Sequence, residues 1–175
     1  MSPGKNSGPP EALLDSINTD SSSESGGDSF RRLELGKRGE ELAAAYLQKV
    51  GFRIVAANFA IPVGRNLVGA IIGAEIDLVA YEGKTLCFIE VKSRTSDWFA
   101  PPQVNVDRRK QRQIARAARA YRRVFGVVND PYRYDVITVV LPGEAESAGP
   151  DVQLLRNYWT EDQFRKRHWP ERYWD

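Results

Sequence analysis

The stretch from Gly73 to Arg94 constrains this chain more than any other. Glu75-Ile76-Asp77-Leu78-Val79-Ala80 is apolar with carboxylates at alternate positions. Thr85-Leu86-Cys87-Phe88-Ile89 is a β-rich run leading into Glu90-Val91-Lys92-Ser93-Arg94. Glu82-Gly83 between them is a hairpin turn signal. Residues two apart on a strand face the same way, so Glu75 shares a face with Asp77, and Glu90 with Lys92. A turn centred on Glu82 and Gly83 puts Glu75 opposite Glu90. Three carboxylates and one lysine then converge on one side of two paired strands.

Like charges facing each other destabilise a sheet, so this arrangement needs compensation. A divalent cation between the carboxylates supplies it. Lys92 and nearby arginines also supply it, and the face is then a solvated one with ordinary ion pairs. Embedding the whole pattern in apolar strands favours the cation. Oxygen-only ligands suit magnesium or manganese. Such an ion lowers the pKa of a bound water and stabilises charge on a phosphoryl group. Lys92 beside it is placed to orient or deprotonate an attacking water.

Composition narrows the alternatives. The one histidine, His168, stands near the C-terminus, which removes histidine-based triads and zinc sites built on several His or Cys ligands. The one cysteine, Cys87, sits inside a predicted strand and reads as a small buried residue, consistent with a reducing, cytoplasmic setting. No apolar run approaches the roughly 20 residues that span a bilayer, and the N-terminus lacks a basic-then-apolar signal pattern, so no membrane partner is expected. In residues 1–30, Lys5 stands against Glu11, Asp15, Asp20, Glu24 and Asp28, a net −4 that leaves +6 for the rest of a chain that is +2 in all. A basic body with an acidic tail fits a polyanionic partner.

In chain order, Met1–Ser29 is rich in Ser, Gly, Pro and Asp and reads as disordered. A helix is expected over Leu35–Val50, with Leu42, Tyr46 and Val50 on its apolar face and Glu40 at the edge of that face. Gly36 and Gly39 inside it cost about 1 kcal/mol each against alanine, which close approach to another backbone or a phosphate would justify. Gly51 caps the helix, and Phe52–Asn58 is the first strand. Ala60–Ile72 reads as a loop carrying Arg65. Thr95–Val106 reads as a loop whose Trp98 and Phe99 either stack on bases or anchor the loop.

Asp107 is an N-cap for a helix reaching Phe125. Ile114, Ala118, Tyr121 and Phe125 form its apolar stripe. Arg109, Arg112, Arg116, Arg119 and Arg123 form a second stripe almost directly opposite, with no acid between Asp107 and Phe125. Mutual repulsion costs a few tenths of a kcal/mol per pair, which contacts to a nucleic-acid backbone would offset. Lys110 falls closer to the apolar side and approaches the carboxylates. Arg94, at the end of the hairpin, joins the nucleic-acid-binding set. Tyr132–Leu141 is a strand with Asp135 paired to Arg133, Val152–Leu155 a short edge strand, and Glu161–Arg167 a brief helix. Trp159, Trp169, Tyr173 and Trp174 read as a flap over the core. The order of elements predicts an α/β fold, a mixed sheet with a crossover helix.

The hairpin resembles the core of the PD-(D/E)XK nuclease superfamily, with Asp77 as first acid and Glu90-Val91-Lys92 as the E-x-K. Gly36-Lys37-Arg38-Gly39-Glu40-Glu41-Leu42-Ala43, Gly51-Phe52-Arg53-Ile54-Val55 and the two hairpin strands resemble the YraN-like family of uncharacterised bacterial proteins, similar to archaeal Holliday junction resolvases. Ala74 stands where that family usually carries a second glycine. The resemblance covers about Leu33–Val140 and implies a restriction-endonuclease-like core. It implies Glu40, Asp77, Glu90 and Lys92 as the site, with the three acids holding magnesium or manganese. The expected domains are an acidic tail over 1–30, a nuclease-like domain over 31–158 and a Trp-rich extension over 159–175. The expected activity is metal-dependent cleavage of DNA, with branched or damaged DNA as candidate substrates; the resemblance to junction resolvases leaves a homodimer open. A nucleic-acid-binding module on a non-cleaving scaffold is the alternative, and a protein-interaction factor a third.

Overall fold

The computed structural model describes residues 24–65, 68–96, 105–143 and 147–164. Its elements are α1 (Glu24–Lys49), β1 (Arg53–Arg65), β2 (Ile71–Glu82), β3 (Thr85–Thr95), α2 (Arg108–Val124), β4 (Tyr132–Leu141) and β5 (Asp151–Trp159), then a 3-10 turn over Glu161–Phe164. The strands form one sheet in sequence order. β1, β2 and β3 form an antiparallel meander, and β4 and β5 are antiparallel. β3 and β4 run parallel, which requires the crossover through α2. This mixed sheet flanked by two helices is a restriction-endonuclease-like arrangement.

β3 is central and covered on both faces, so Leu86 through Glu90 are all buried. On one face α1 sets Ala43 and Leu47 against Leu78, Cys87, Ile89 and Ile137. On the other, α2 sets Ile114, Ala118 and Tyr121 against Val79, Phe88 and Tyr134. Phe88 meets Tyr121 edge-on, centroids 5.8 Å apart. Asp107 caps α2 as expected, its Oδ1 accepting from the Lys110 amide at 2.8 Å. Asp135 is buried and receives two 2.9 Å bonds from Arg133, the structural role expected of it.

Several boundaries differ from expectation. α1 begins at Glu24, well before Leu35, and takes in residues assigned to the acidic tail. Phe30 and Leu33 there are exposed, so this stretch is helical by propagation from the packed part rather than by burial. The face of α1 that meets the sheet runs through Gly39, Ala43 and Leu47, while Val50 is exposed. Ala60–Arg65, expected as loop, continues β1, which lies at the sheet's edge where Pro62 needs no donor; the register shifts beside it. Of the short helix expected over Glu161–Arg167, the described part, Glu161–Phe164, is a 3-10 turn, and residues 165–167 lie outside the described residues. β5 extends well beyond Val152–Leu155. Residues 1–23, the loop holding Trp98 and Phe99, and His168, Trp169, Tyr173 and Trp174 lie outside the described residues.

Gly39 explains how α1 approaches β3. A Cβ at this position would stand 2.4 Å from the Ser93 Cβ, whereas one at Gly36 would meet nothing within 4 Å. Gly39→Ala should therefore destabilise by about 1–3 kcal/mol through overpacking, and Ser93→Gly should recover part of the loss. Gly36→Ala should be neutral or stabilise by up to about 1 kcal/mol. Urea denaturation midpoints of the three variants check this; equal effects at the two glycines would contradict it.

Candidate functional site

The hairpin turns one residue later than its sequence suggested. Glu82 pairs with Thr85 and Leu78 with Ile89, so Gly83 and Lys84 form the turn. Relative to the expected register, the strands slip by two residues. An even slip keeps side chains on their original faces. It brings Asp77, rather than Glu75, level with Glu90. Glu75 instead pairs with Ala60 of β1 and is exposed.

β2 and β3 are paired only as far as Leu78 and Ile89. Beyond that point the N-terminal half of β2 pairs with β1, and the C-terminal half of β3 pairs with β4. The hairpin thus opens into a fork at Asp77 and Glu90. Asp77 Oδ2 accepts a 2.7 Å bond from the Val91 amide, filling a place where the ladder has stopped.

Glu90 is 2% exposed, which demands compensation of its charge. Lys92 Nζ lies 2.9 Å from Oε1, from the same strand. Lys110 Nζ, from the first turn of α2, lies 3.1 Å from Oε2. Each oxygen of the buried carboxylate thus faces an ammonium group. Burial works against the charged form of Lys110, but Glu90, Asp77 and Glu75 outweigh it and hold its pKa above the usual lysine value. Burial, followed by the charge of Glu90, pushes Asp77 up from 3.8 to about 7; Glu40 of α1 adds to the rise, while the Val91 amide and Lys110 oppose it. Glu40 is partly buried and within electrostatic range of Asp77. The fork therefore joins two carboxylates and two ammonium groups, with a third carboxylate near by. Among the described residues, no three acids, histidines or cysteines are close enough to enclose a metal ion by themselves.

The arginine stripe does not share this site. At about 100° per residue, Arg112, Arg116, Arg119 and Arg123 leave α2 roughly on the side away from Lys110. Arg112, Arg116 and Arg119 line a separate pocket with Trp159 and Glu161. Arg109 is exposed in the first turn, beside Lys110, and Arg94 is partly buried near the end of β3.

A family model described as "Uncharacterised protein family UPF0102" matches residues 39–139, more than half of the chain. The chain belongs to this family. It is the YraN-like family that the motifs resemble. A UPF0102 protein of Geobacter sulfurreducens is 42% identical over 107 residues, 61% of this chain and 76% of the relative. One of Chlorobium chlorochromatii is 44% identical over 131 residues, 73% of this chain and 93% of the relative. One of Koribacter versatilis is 37% identical over 130 residues, 74% and 82% of the two chains. The matched span contains Glu40, Asp77, Glu90, Lys92 and Lys110 and stops before β5.

Lys110 stands where its helical phase put it, on the apolar side of an arginine-rich helix and against the carboxylates, although the sequence reading did not count it among the site residues. The Val91 amide had no sequence signal, because its importance depends on where the ladder stops.

The raised pKa of Asp77 makes stability pH-dependent. The folded state retains this proton up to about pH 7, whereas the unfolded chain releases it near 3.8. Stability through this group falls as pH rises between those values. In the absence of divalent ions, Asp77→Asn should exceed the wild type by on the order of 2 kcal/mol at pH 8 and match it at pH 3.5. Urea midpoints at the two pH values check this. An equal difference at both would contradict it.

Proposed function

We propose that this protein is a magnesium- or manganese-dependent nuclease that hydrolyses phosphodiester bonds in DNA. The observation that supports this reading best is the fork, which sets a buried glutamate and a pKa-raised aspartate side by side with two lysines. The donor chemistry fits the ion. Burial of the pair and the charge of Glu90 on Asp77 favour a cation beside them, and magnesium is commonly held by one or two carboxylates with water completing its shell. Asp77 and Glu90 would hold the ion, with Glu40 of α1 close enough to act on them through its charge and to hold a water of the ion's shell. When bound, the ion supplies Lewis acidity toward a phosphoryl oxygen and an acidified water.

The chain's own groups supply the rest. The Val91 amide fixes the orientation of Asp77. Lys92, steadied by Glu90 Oε1, is half exposed, and its remaining N–H groups are free to hold an attacking water or a phosphate oxygen. Lys110 offers a second ammonium for charge that develops as the water–phosphorus bond forms and the ester bond breaks. Arg94 and Arg109 would hold the DNA backbone near this end of the sheet. The basic body, at +6 without its first 30 residues, suits such a partner. Buried, unpaired Cys87 is in keeping with a cytoplasmic location. No helix among the described residues is long and apolar enough to cross a membrane.

A nucleic-acid-binding module that does not cleave is the second reading, and the Lys110–Glu90 ion pair favours it, since an ammonium already compensates the buried acid. A panel of single-stranded, duplex and four-way-junction DNAs, incubated with magnesium or manganese, separates the two. The nuclease reading expects cutting that chelator abolishes and that Lys92→Ala and Glu90→Gln each reduce by about 100-fold or more. Binding without cutting on every substrate and metal would support the second reading. A rise in melting temperature with magnesium, absent in Glu90→Gln, should accompany cutting.

A further inference from the structure

A pocket of about 680 Å³ opens between α2, the start of β4, the end of β5 and the 3-10 turn. One wall is arginine and the other aromatic. Arg119 is committed, its Nη1 lying 3.7 Å from Glu161 Oε2, and Arg133 is committed to Asp135 and Glu82. Arg112 and Arg116 are exposed and have no acid partner among the described residues. Arg112 lies over the Phe164 ring, 5.7 Å from its centroid. Trp159 stacks on Tyr134 at 5.0 Å and is 5% exposed, yet its buried indole N–H has no acceptor among the described residues. The carboxylate of Glu161 accepts from the Tyr134 hydroxyl at 2.6 Å and from the Tyr132 hydroxyl at 3.3 Å. A negatively charged group thus already rests among the pocket's donors.

We propose that this pocket binds a nucleoside monophosphate unit, with Arg112 and Arg116 on the phosphate and the base against the aromatic wall. Two exposed guanidinium forks match a phosphate's oxygens bidentately. The partly exposed rings of Tyr132 and Phe164 beside them give a base something to stack on, at about 1–3 kcal/mol per base. The volume falls within the range of small-molecule sites, roughly 300–1,000 Å³. Thr160 and Asn157 line the same space and offer polar groups to the sugar or the base edge. The site is separate from the carboxylate fork, because its arginines leave α2 on the side away from Lys110. Its far wall, from Asn157 to Phe164, lies beyond the span that the family model matches. The unit is either a free nucleotide or the terminal nucleotide of a strand.

Isothermal titration of the full chain with AMP, dTMP, inorganic phosphate and a 5′-phosphorylated single-stranded oligonucleotide tests the proposal. Saturable binding of a mononucleotide is expected, weakened at least tenfold in Arg112→Gln/Arg116→Gln, whose side chains are exposed and whose fold circular dichroism checks. Competition by the oligonucleotide assigns the strand end as the source; its absence assigns the free nucleotide, and either supports the pocket. Glu90→Gln should leave this binding unchanged, so the pocket and the nuclease reading fail separately. No saturable binding, inorganic phosphate binding as tightly as the nucleotides, or nucleotide binding unaffected by the double substitution would overturn the proposal.

Discussion

A glutamate that is almost wholly buried in the middle of a sheet must be neutralised, and the surroundings of Glu90 follow from that requirement. Its two oxygens are served by two lysines from different elements, Lys92 on β3 and Lys110 on α2. The crossover between β3 and β4 places α2 where Lys110 can reach, and the Asp107 cap fixes where that helix begins. On the opposite face, Gly39 lets α1 approach Ser93 and brings Glu40 within range of Asp77. The two helices therefore do more than cover the sheet: each delivers a charge to the point where the hairpin opens.

Asp77 occupies a different balance. It has no lysine of its own at ion-pair distance among the described residues, and its one hydrogen bond is from an amide. Burial and Glu90 raise its proton affinity to near neutrality. Two adjacent acids with unequal compensation are a common property of functional sites, because the same field that disfavours the second charge favours any cation that arrives. The cost to the folded state is the pH dependence of Asp77.

The hairpin was the most legible part of the sequence because strand parity is robust. A turn misplaced by one residue moves the register by two, and Asp77, Glu90 and Lys92 still come together. Glu75 was drawn into the cluster by the same count and falls outside it, since the pairing ends before it is reached. The long β1 was illegible because Pro62 and Gly64 are breakers in a central strand but tolerable at an edge. The start of α1 was hidden by its glycines and serines, and its first apolar residues after them, Phe30 and Leu33, are exposed. Helical phase correctly separated the arginines of α2 from its apolar side. Phase alone did not say what the arginines face, because the pocket's other wall comes from more than thirty residues later in the chain.

The central proposal is that Asp77 and Glu90 form one electrostatic unit that a divalent cation would join. Carboxyl-carbon NMR titration of the wild type, with and without magnesium, measures it most directly. Without the ion, a side-chain carboxyl assigned to Asp77 should titrate near pH 7, and with magnesium its midpoint should move down into the ordinary carboxylate range. An Asp77 carboxyl that titrates near 4 in both conditions, unmoved by magnesium, would contradict the account.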